Sequence, residues 1–464
     1  MKHTAWRSVL APLASLRLTV VVLILSMLLI FFGTLAQVTR GIWWVMDQYF
    51  TSWTVHVPLA IFAPADRPIG GSFPFPGGAT LGLVLLINLI AAHSVRFQVR
   101  AKGLTQLWGY GLLLLGALAI GWFHLSPIAG RLSAAYGLLA MLLIGGLIYV
   151  PAIAGTAVLF GRKVGIVLIH GSLILLIVGE GVTRVTAVET SMPIYEGESI
   201  NWTQDMRTSE LVVVDPSDPR RDKVTVIPEA VLRDAFADGR VVSHPDLPFD
   251  LRVDAFYVNS SFRRRGPVVE PATPEMKGLA TQFVLEPMAE VSGVGGQMYN
   301  LPGLKVSLIR DGQNLGHYYL STLTTFIGES YKTIPQNVFL DGNILQLDYR
   351  FERHYKPYTI ELVDFHHDLY PGTQVPKNYA SDIRLTDPQT GTDREIKIRM
   401  NEPLRYAGET FFQSGYLPGD VGTILQVVDN PGWTLPYIAC TLGGAGLTIH
   451  FMLSLSKFLR RKRI

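Results

Sequence analysis

The sequence contains a single cysteine, Cys440, among its 464 residues. One thiol cannot build a disulfide framework, a cysteine-based zinc site or a CxxC redox pair within the chain. The CxxCH pattern is also absent, so the chain is not itself a c-type cytochrome. Cys440 lies inside an apolar run, where a lone cysteine is expected to pack as a small hydrophobic residue. No P-loop, GxSxG or HExxH pattern appears either.

Acidic residues are scarce at both ends of the chain. Outside residues 185–432 the acids are Asp47, Asp66 and Glu180, against 17 lysines and arginines. Residues 185–432 hold the other 34 acids and 23 bases, which gives a net charge of −11. Charged residues make up only 17% of the chain, whereas about a quarter is typical of soluble proteins. The two ends of the chain are therefore typical of membrane segments, and residues 185–432 are typical of a water-soluble domain.

Six hydrophobic segments approach the length of about 20 residues that a helix needs to cross a bilayer. They span approximately 17–37, 79–95, 107–125, 133–158, 164–183 and 433–456. The first is long, uniformly apolar and without a clear small-residue cleavage site, which favours an uncleaved helix over a signal peptide. We predict a polytopic α-helical membrane protein with about six transmembrane helices. Its parts are a transmembrane region 1–184, a domain 185–432, and a last helix with a basic tail, 433–464.

Basic residues near the segment ends predict the orientation, because cytoplasmic loops are enriched in lysine and arginine. The N-terminus, the second and fourth connections and the C-terminal tail together carry 13 bases. The opposite side, leaving out the large domain, carries four, namely Arg40, Arg67, Arg131 and Arg184. We therefore expect both termini in the cytoplasm and the large domain outside the membrane.

Short segments of alternating polarity, rich in Val, Ile, Tyr and Phe, predict that the large domain is mainly β. Turn residues such as Asp311-Gly312, Asp341-Gly342 and the stretch 387–392 separate them. Strands at this spacing favour an antiparallel sandwich or barrel-like fold. The predicted strands are Glu210–Val214, Leu251–Val258, Leu304–Arg310, Val338–Tyr349, Tyr358–Phe365, Ile383–Thr386, Glu395–Met400 and Thr423–Val428.

Three histidines fall in or near the apolar segments, where ionisable groups are costly and are candidate functional residues. His170 lies seven residues after Lys163, and His450 lies seven residues before Lys457, so both are expected about 10 Å from the same face. Two imidazoles at matched depth could ligate one metal centre. His93 is expected about one turn shallower. The alternative for each is a hydrogen bond to a neighbouring helix or a side chain that extends to the interface, and we favour it for His93.

Three other polar features have simpler structural interpretations. Glu180 is expected to pair with Arg184 one helical turn away. The run 366–368, His-His-Asp, is a weak metal candidate because adjacent strand residues point to opposite faces. Trp43 and Trp44 with nearby aromatic residues are typical of a membrane-interface belt.

Several stretches resemble the ResB (CcsB) family. The fifth apolar segment and the residues after it provide Lys163-Val164-Gly165, His170-Gly171, Gly179 and Tyr195-Glu196-Gly197-Glu198. The end of the large domain provides Asp364-Phe365, Tyr370-Pro371-Gly372, Ser381-Asp382, residues 400–404, Tyr406, Gly408, residues 412–416 and residues 428–432. The N-terminus provides residues 13–19, Gly33-Thr34-Leu35 and Asn88. The family usually has four spanning helices, whereas this chain has an additional predicted pair at 107–125 and 133–158.

This resemblance implies a subunit of the System II cytochrome c synthase in the bacterial inner membrane. It implies a CcsA-like membrane partner, haem b as a transported or transiently bound group, and apocytochrome c as the acceptor, with no nucleic-acid partner. His170 occupies the position of a family haem ligand, so the resemblance implies that it is an axial ligand of the haem iron. His450 and His93 are further candidate haem-binding residues on depth alone.

Two other functions remain open from the sequence. A haem b electron-transfer subunit of a respiratory complex would use His170 and His450 as axial ligands. A scaffold would use the large domain only to bind a partner.

Overall fold

The structure is a computed structural model that describes residues 10–64, 67, 69–126, 128, 143, 145–266, 271–291, 300–322, 333–373 and 376–462. Within them the chain forms apolar helices at both ends and a large sheet domain between the last two long helices. The longer helices are α1 (Leu16–Arg40), α2 (Gly78–Arg96), α3 (Gly103–Leu125), α4 (Val150–Phe160), α5 (Val164–Thr186), α6 (Glu229–Asp238) and α7 (Leu435–Lys462).

Five helical stretches are long and apolar enough to cross a membrane: Leu16–Arg40, Gly78–Val95, Gly103–His124, Leu147–Thr186 and Leu435–Arg461. The fourth contains both α4 and α5, which are separated by a 3₁₀ turn, Gly161–Lys163. Residues 133–142 and 144 of the predicted segment 133–158 lie outside the described residues, and the end of the segment falls in α4. The chain is a multi-pass membrane protein with a large β domain.

The segment between α1 and α2 is folded rather than extended. It contains a helical turn, Ile42–Val45, a π-helical turn, Met46–Phe50, and a hairpin of β1 (Thr54–Pro58) and β2 (Ser72–Pro76). Tyr49 and Val57, both 0% exposed, pack with the apolar face of α1. At the other end of α1, the buried Asn88 amide of α2 donates to Leu13 O at 2.6 Å. One polar side chain thus fixes the start of α1 against α2.

The β domain lies between α5 and α7. Its strands are β3 (Val188–Tyr195), β4 (Ser199–Asp215), β5 (Lys223–Pro228), β6 (Val241–Val242), β7 (Asp250–Tyr257), β8 (Ser260–Arg264), β9 (Phe283–Pro287), β10 (Gly303–Arg310), β11 (Gln313–Ser321), β12 (Gln336–Leu340), β13 (Asn343–Leu369), β14 (Pro376–Asp387), β15 (Thr392–Arg399), β16 (Leu404–Tyr406), β17 (Glu409–Tyr416) and β18 (Gly422–Asp429). The prediction of a mainly-β domain between the last two helices is confirmed.

The main sheet has the order β15-β14-β13-β4-β3-β18-β17-β16, with β5 beside β4 and β12 beside β13. A second sheet has the order β11-β10-β7-β6, and β8 pairs with β9. These pairings are antiparallel, as the sequence predicted. Two separate apolar cores divide the domain into two lobes. The proximal lobe is built on β3 and β18, which adjoin the helices, and the distal lobe on β7, β10 and β11.

Two long strands run through both lobes. In β4, Ile200 lies in the proximal core and Leu211 in the distal core; in β13, Ile360 and Leu347 are divided in the same way. A buried ion pair lies between the two groups, where Arg350 Nε donates to Glu210 Oε1 at 2.8 Å. The lobes therefore share a continuous backbone and are not separate domains joined by a linker.

The predicted strand Val338–Tyr349 is wrong as a single strand. Its residues form a hairpin of β12 and the start of β13, with Asp341 (φ 51°) and Gly342 (φ 80°) in the turn. Both residues adopt the left-handed conformation that a tight hairpin turn requires, and Asp-Gly is a preferred sequence there. The turn residues Asp341 and Gly342 thus indicated the hairpin more accurately than the apolar pattern of 338–349 did.

Candidate functional site

His170 lies in the first half of α5 and contacts the chain that leaves α2. Its imidazole centroid lies 5.3 Å from that of Phe97, with the rings nearly perpendicular. Phe97 is the first residue after α2, which ends at Arg96. The side chain of His170 is half-buried. The residue that follows α2 thus packs against an imidazole in the first half of α5.

Phe97 lies in the centre of an aromatic and basic cluster. Its ring centroid is 5.2 Å from that of His93 and 5.6 Å from the Lys163 ammonium. His93 also contacts Phe160 at the end of α4, with ring centroids 6.3 Å apart. The structure therefore brings His93 and His170 into contact with one phenyl ring. We call His93, Phe97, Phe160, Lys163 and His170 the Phe97 cluster.

The imidazole of His93 has an unsatisfied nitrogen. Its Nδ1 is buried and has no hydrogen-bond partner among the residues that the structure describes. A buried polar atom without a partner costs free energy, so such atoms are uncommon in proteins and often mark a ligand or water site. Neutral imidazole nitrogens are strong ligands for iron, copper and zinc. The cluster can therefore supply metal-ligating nitrogen at the Lys163 end of α5.

His450 lies elsewhere on the helix pair. A Cβ placed on Gly165 would lie 2.8 Å from the Cβ of His450, so these two residues are level across the interface between α5 and α7. His170 is five residues further along α5, about 7.5 Å at 1.5 Å per residue. The expectation of matched depth for His170 and His450 is therefore wrong, because the two residues are offset by this distance along the helix pair. Counting from Lys163 and Lys457 fails because α7 continues to Lys462.

Small residues hold α5 and α7 in close contact. A Cβ on Gly165 would lie 2.7 Å from Gly446 O, and a Cβ on Gly443 would lie 2.8 Å from Ser172 Oγ. Real Cβ atoms do not approach backbone as closely as 2.7 Å, so glycine is required at position 165. The same face of α5 that carries these small residues sets the height and rotation of His170.

A family model described as ResB-like family matches residues 327–423. Protein NrfI of Wolinella succinogenes is 32% identical over 123 residues, which are 26% of this chain. These two matches support assignment of the chain to the ResB family, and the family model matches residues 327–423. The alignment spans only 14% of the length of NrfI. A solved structure of the cytochrome c haem lyase CcmF aligns over 80% of this chain and 38% of its own, at 11% identity. Its TM-score of 0.19 is too low to support an argument.

The ResB-like match covers β12 to β17 and the first residues of β18, including all of β13. Within it, Gln413 accepts a hydrogen bond from Ser381 Oγ at 2.6 Å and donates to Thr423 Oγ1 at 2.8 Å. This amide joins β14, β17 and β18 in the proximal lobe. The matched region therefore lies within the β domain and does not include His93, His170 or His450.

The two adjacent histidines of the ResB-like region point to opposite faces, as the sequence predicted. His366 Nε2 lies 2.7 Å from Asp382 Oδ2 and 3.5 Å from Asp364 Oδ2. Lys397 Nζ also binds Asp382, at 3.0 Å, so a cation already compensates this carboxylate. His367 Nδ1 instead lies 2.9 Å from Asp420 Oδ1. No single metal centre can use both histidines.

Several residues of the ResB-like chain were missed or misjudged from the sequence. Arg184 binds Asp47 at 2.9 Å and not Glu180, so it ties α5 to the segment after α1. The sequence offered no indication of this, since the partners are far apart in the chain. Phe97 was missed because nothing in the sequence pattern shows that a residue after a helix packs against two histidines. His124 was also missed; its Nε2 lies 2.7 Å from the Tyr149 hydroxyl in a buried pair.

Proposed function

We propose that this chain is a ResB-like subunit of the System II cytochrome c synthase, which works with a CcsA-like membrane protein. The synthase carries haem outward and attaches it to the CxxCH motif of apocytochrome c. The ResB-like match of residues 327–423 and the similarity to NrfI support a role in cytochrome c biogenesis. The observation that carries the proposal is the Phe97 cluster, in which two imidazoles of a membrane protein contact one displaceable ring.

The cluster fits haem as a cargo. Haem iron takes imidazole as an axial ligand, and His170 and the unsatisfied nitrogen of His93 would supply it. Lys163, at the same end, offers a positive charge for the haem propionates. The Phe97 ring packs against both histidines, so we expect loading to require this ring to move. Because Phe97 follows the last residue of α2, it can move without unwinding a helix.

The chemistry of attachment needs thiols that this chain lacks. In the proposed reaction each thiol of CxxCH adds across a haem vinyl group, which forms one thioether and consumes one double bond. Cys440, the only thiol of this chain, lies in α7. The chain's own contribution is to hold and orient haem and to present the β domain, and the thiols come from the apocytochrome.

We also propose that the protein lies in the bacterial inner membrane with both termini in the cytoplasm. The 13 bases on one side against four on the other support this orientation. Reporter fusions after Lys163 and after Arg184 should report opposite compartments. The same compartment for both would reject the proposed topology.

The decisive test is His170→Gly in a strain that depends on this synthase. We expect less haem in the purified complex and no holocytochrome c, with partial recovery of both when imidazole is added to replace the lost ligand. His450→Ala, a matched control on the facing helix, should keep both, since His450 lies level with Gly165 and not with His170. Normal haem content and normal maturation in a stable His170→Gly protein would contradict the proposed function.

A further inference from the structure

Two arginines stack on adjacent tryptophans where α1 ends. Cζ of Arg40, the last residue of α1, lies 5.4 Å from the ring centroid of Trp44. Cζ of Arg207, from β4, lies 5.0 Å from the ring centroid of Trp43. Such cation–π contacts orient a guanidinium without neutralising its charge. We call Arg40, Trp43, Trp44 and Arg207 the arginine–tryptophan patch.

A turn inside β4 directs Arg207 to this patch. Gln204 pairs with Ser191 of β3, the strand that follows α5, so this part of β4 lies at the membrane end of the sheet. The pairing of β4 with β13 is interrupted at residues 205–208. There Asp205 Oδ1 accepts a hydrogen bond from the backbone N of Arg207 at 2.7 Å. The main sheet therefore carries one of the two cations of the patch to the helix ends.

Neither guanidinium of the patch forms an ion pair with an acid in the part of the chain that the structure describes. The acid closest to the tryptophans in sequence, Asp47, is bound by Arg184 at 2.9 Å. Asp205 is used by the backbone of its own turn. Arg40 and Arg207 are both exposed. A ring face cannot satisfy the five N–H donors of a guanidinium, so both groups can bind an anion.

Helix lengths place the patch at the membrane surface. Arg40 follows Arg17 by 23 residues, about 35 Å of helix, whereas the hydrocarbon core of a bilayer is about 30 Å thick. Arg184 follows Lys163 by 21 residues, about 32 Å along α5. The ion pair of Arg184 with Asp47 joins these two helix ends. Both lengths therefore put the patch at the level of the lipid headgroups, on the side of the β domain.

The apolar side chains beside the arginines select the class of ligand. Trp43 is 48% exposed and Ile42 is 39% exposed. Tryptophan is enriched where the headgroups meet the acyl chains, and arginine binds phosphate through two parallel hydrogen bonds. An anionic phospholipid offers both a phosphate and acyl chains. A soluble acidic peptide would satisfy the arginines but would leave Ile42 and Trp43 uncovered.

We propose that the arginine–tryptophan patch binds the anionic headgroups of phospholipids in the leaflet on the side of the β domain. Arg40 and Arg207 hold the phosphate, and Ile42 and Trp43 contact the start of the acyl chains. Because Arg207 belongs to β4, the bound lipid holds the proximal lobe against the membrane surface. This binding goes beyond the proposed function and does not depend on haem.

The test uses the full chain in a nonionic detergent, and native mass spectrometry counts the dioctanoyl phosphatidylglycerol that it binds. Arg40→Gln and Arg207→Gln should each weaken binding about 5-fold, and the double variant about 30-fold, the usual contribution of one and two cations beside an anionic lipid surface. Arg207→Lys keeps the charge and should retain most of the affinity. Dioctanoyl phosphatidylcholine, whose choline compensates its phosphate, should bind more weakly than phosphatidylglycerol to the unsubstituted chain.

Arg394→Gln is the matched control, because it removes the same charge at the other end of the main sheet. Arg394 of β15 is exposed, and its register runs through Leu385 and Ile360 to Ile200, beside the turn that joins β3 to β4. This variant should bind phosphatidylglycerol as the unsubstituted chain does. Raising the salt from 0.1 to 1 M shortens the Debye length from about 10 to about 3 Å, so it should weaken binding to the unsubstituted chain more than to the double variant.

Three results would overturn the proposal. The first is equal phosphatidylglycerol affinity in the double variant and the unsubstituted chain. The second is a loss in Arg394→Gln as large as that in Arg207→Gln. The third is displacement of the lipid by inorganic phosphate, which would make the patch a site for free phosphate and not for a lipid surface. Thermal unfolding of each variant shows whether a loss of binding comes from a loss of fold, and Arg207→Lys then decides whether charge is responsible.

Discussion

Gly165 tests the helix contact on which the position of His170 depends. A methyl group there would lie 2.7 Å from Gly446 O and 2.8 Å from both N and Cβ of His450. Backbone atoms of α7 cannot rotate away, so Gly165→Ala must push the two helices apart. Gly171→Ala, further along the same helix, meets nothing within 4 Å and is the matched control.

The magnitude follows from two opposing effects. Alanine is favoured over glycine in a helix interior by about 1 kcal/mol, and both variants receive this gain. Overpacking costs about 1–3 kcal/mol, and only Gly165→Ala incurs it. The two variants should therefore differ in free energy of unfolding by about 1–3 kcal/mol, with Gly165→Ala the less stable.

The assay is reversible unfolding of the purified protein in mixed micelles, followed by loss of helical circular dichroism. Gly165→Ala should also lower the haem content of the complex, because separating α5 from α7 shifts the Phe97 cluster. Equal stability of the Gly165→Ala and Gly171→Ala proteins would refute the close packing. Lower stability of Gly165→Ala with unchanged haem content would show that the contact between α5 and α7 does not position His170 for haem binding.

Three further predictions address other parts of the chain. Phe97→Ala should raise the apparent haem affinity about 10- to 100-fold if the ring leaves its place only about 1–10% of the time, as a haem titration would show. Glu210→Ala should cost about 3 kcal/mol in chemical denaturation because it removes the closer acidic partner of the buried Arg350 guanidinium and leaves Asp348 at 4.0 Å, whereas Asp393→Ala at an exposed ion pair should change little. The Tyr406 hydroxyl lowers the pKa of Asp387, with further hydrogen bonds from its turn, so this carboxylate stabilises the fold above its ordinary pKa of about 4 and loses that effect as pH falls. Asp387→Asn should therefore show a smaller fall in melting temperature between about pH 5 and pH 2.

Each of these has an outcome that counts against it. Unchanged haem affinity in Phe97→Ala would mean that the ring does not occupy the binding space. Similar losses of stability in Glu210→Ala and Asp393→Ala would mean that burial of the Glu210–Arg350 pair does not increase its contribution to the free energy of unfolding. An acid transition of Asp387→Asn that matches the unsubstituted protein would remove Asp387 from the acid response.

Features with a local cause were predictable from the sequence. The opposite directions of His366 and His367 follow from the two-residue period of a strand, and the Asp341-Gly342 turn from its residue types. The partner of Arg184 was not predictable, because Asp47 is 137 residues away and Glu180 is closer in sequence. The division of the β domain into two lobes was also hidden, since β13 was divided among separate predicted strands.

The candidate site around His170 was also only partly predictable from the sequence. His170 could be selected because an imidazole in an apolar helix is unusual, and the resemblance to ResB points to the same residue. The phenyl ring of Phe97 beside it depends on how α2 ends against α5, which no short pattern encodes. The partner of His367 Nδ1 was likewise hidden, because Asp420 lies in a turn 53 residues later in the chain.

The passage from helices to strands has a mechanical consequence. Ala187 alone separates α5 from β3, and Val188 of β3 pairs with Asp429, the last residue of β18, shortly before α7 begins. Two antiparallel segments thus run side by side from Gly165 and His450 up to the turn that holds Asp420. The contour length from Gly165 to the end of β3 is about 60 Å, at 1.5 Å per helical and 3.3 Å per strand residue. Because β3 and β18 pair directly beyond α5 and α7, a change in the crossing angle of the two helices would be passed first to the paired ends of these two strands, Val188 and Asp429.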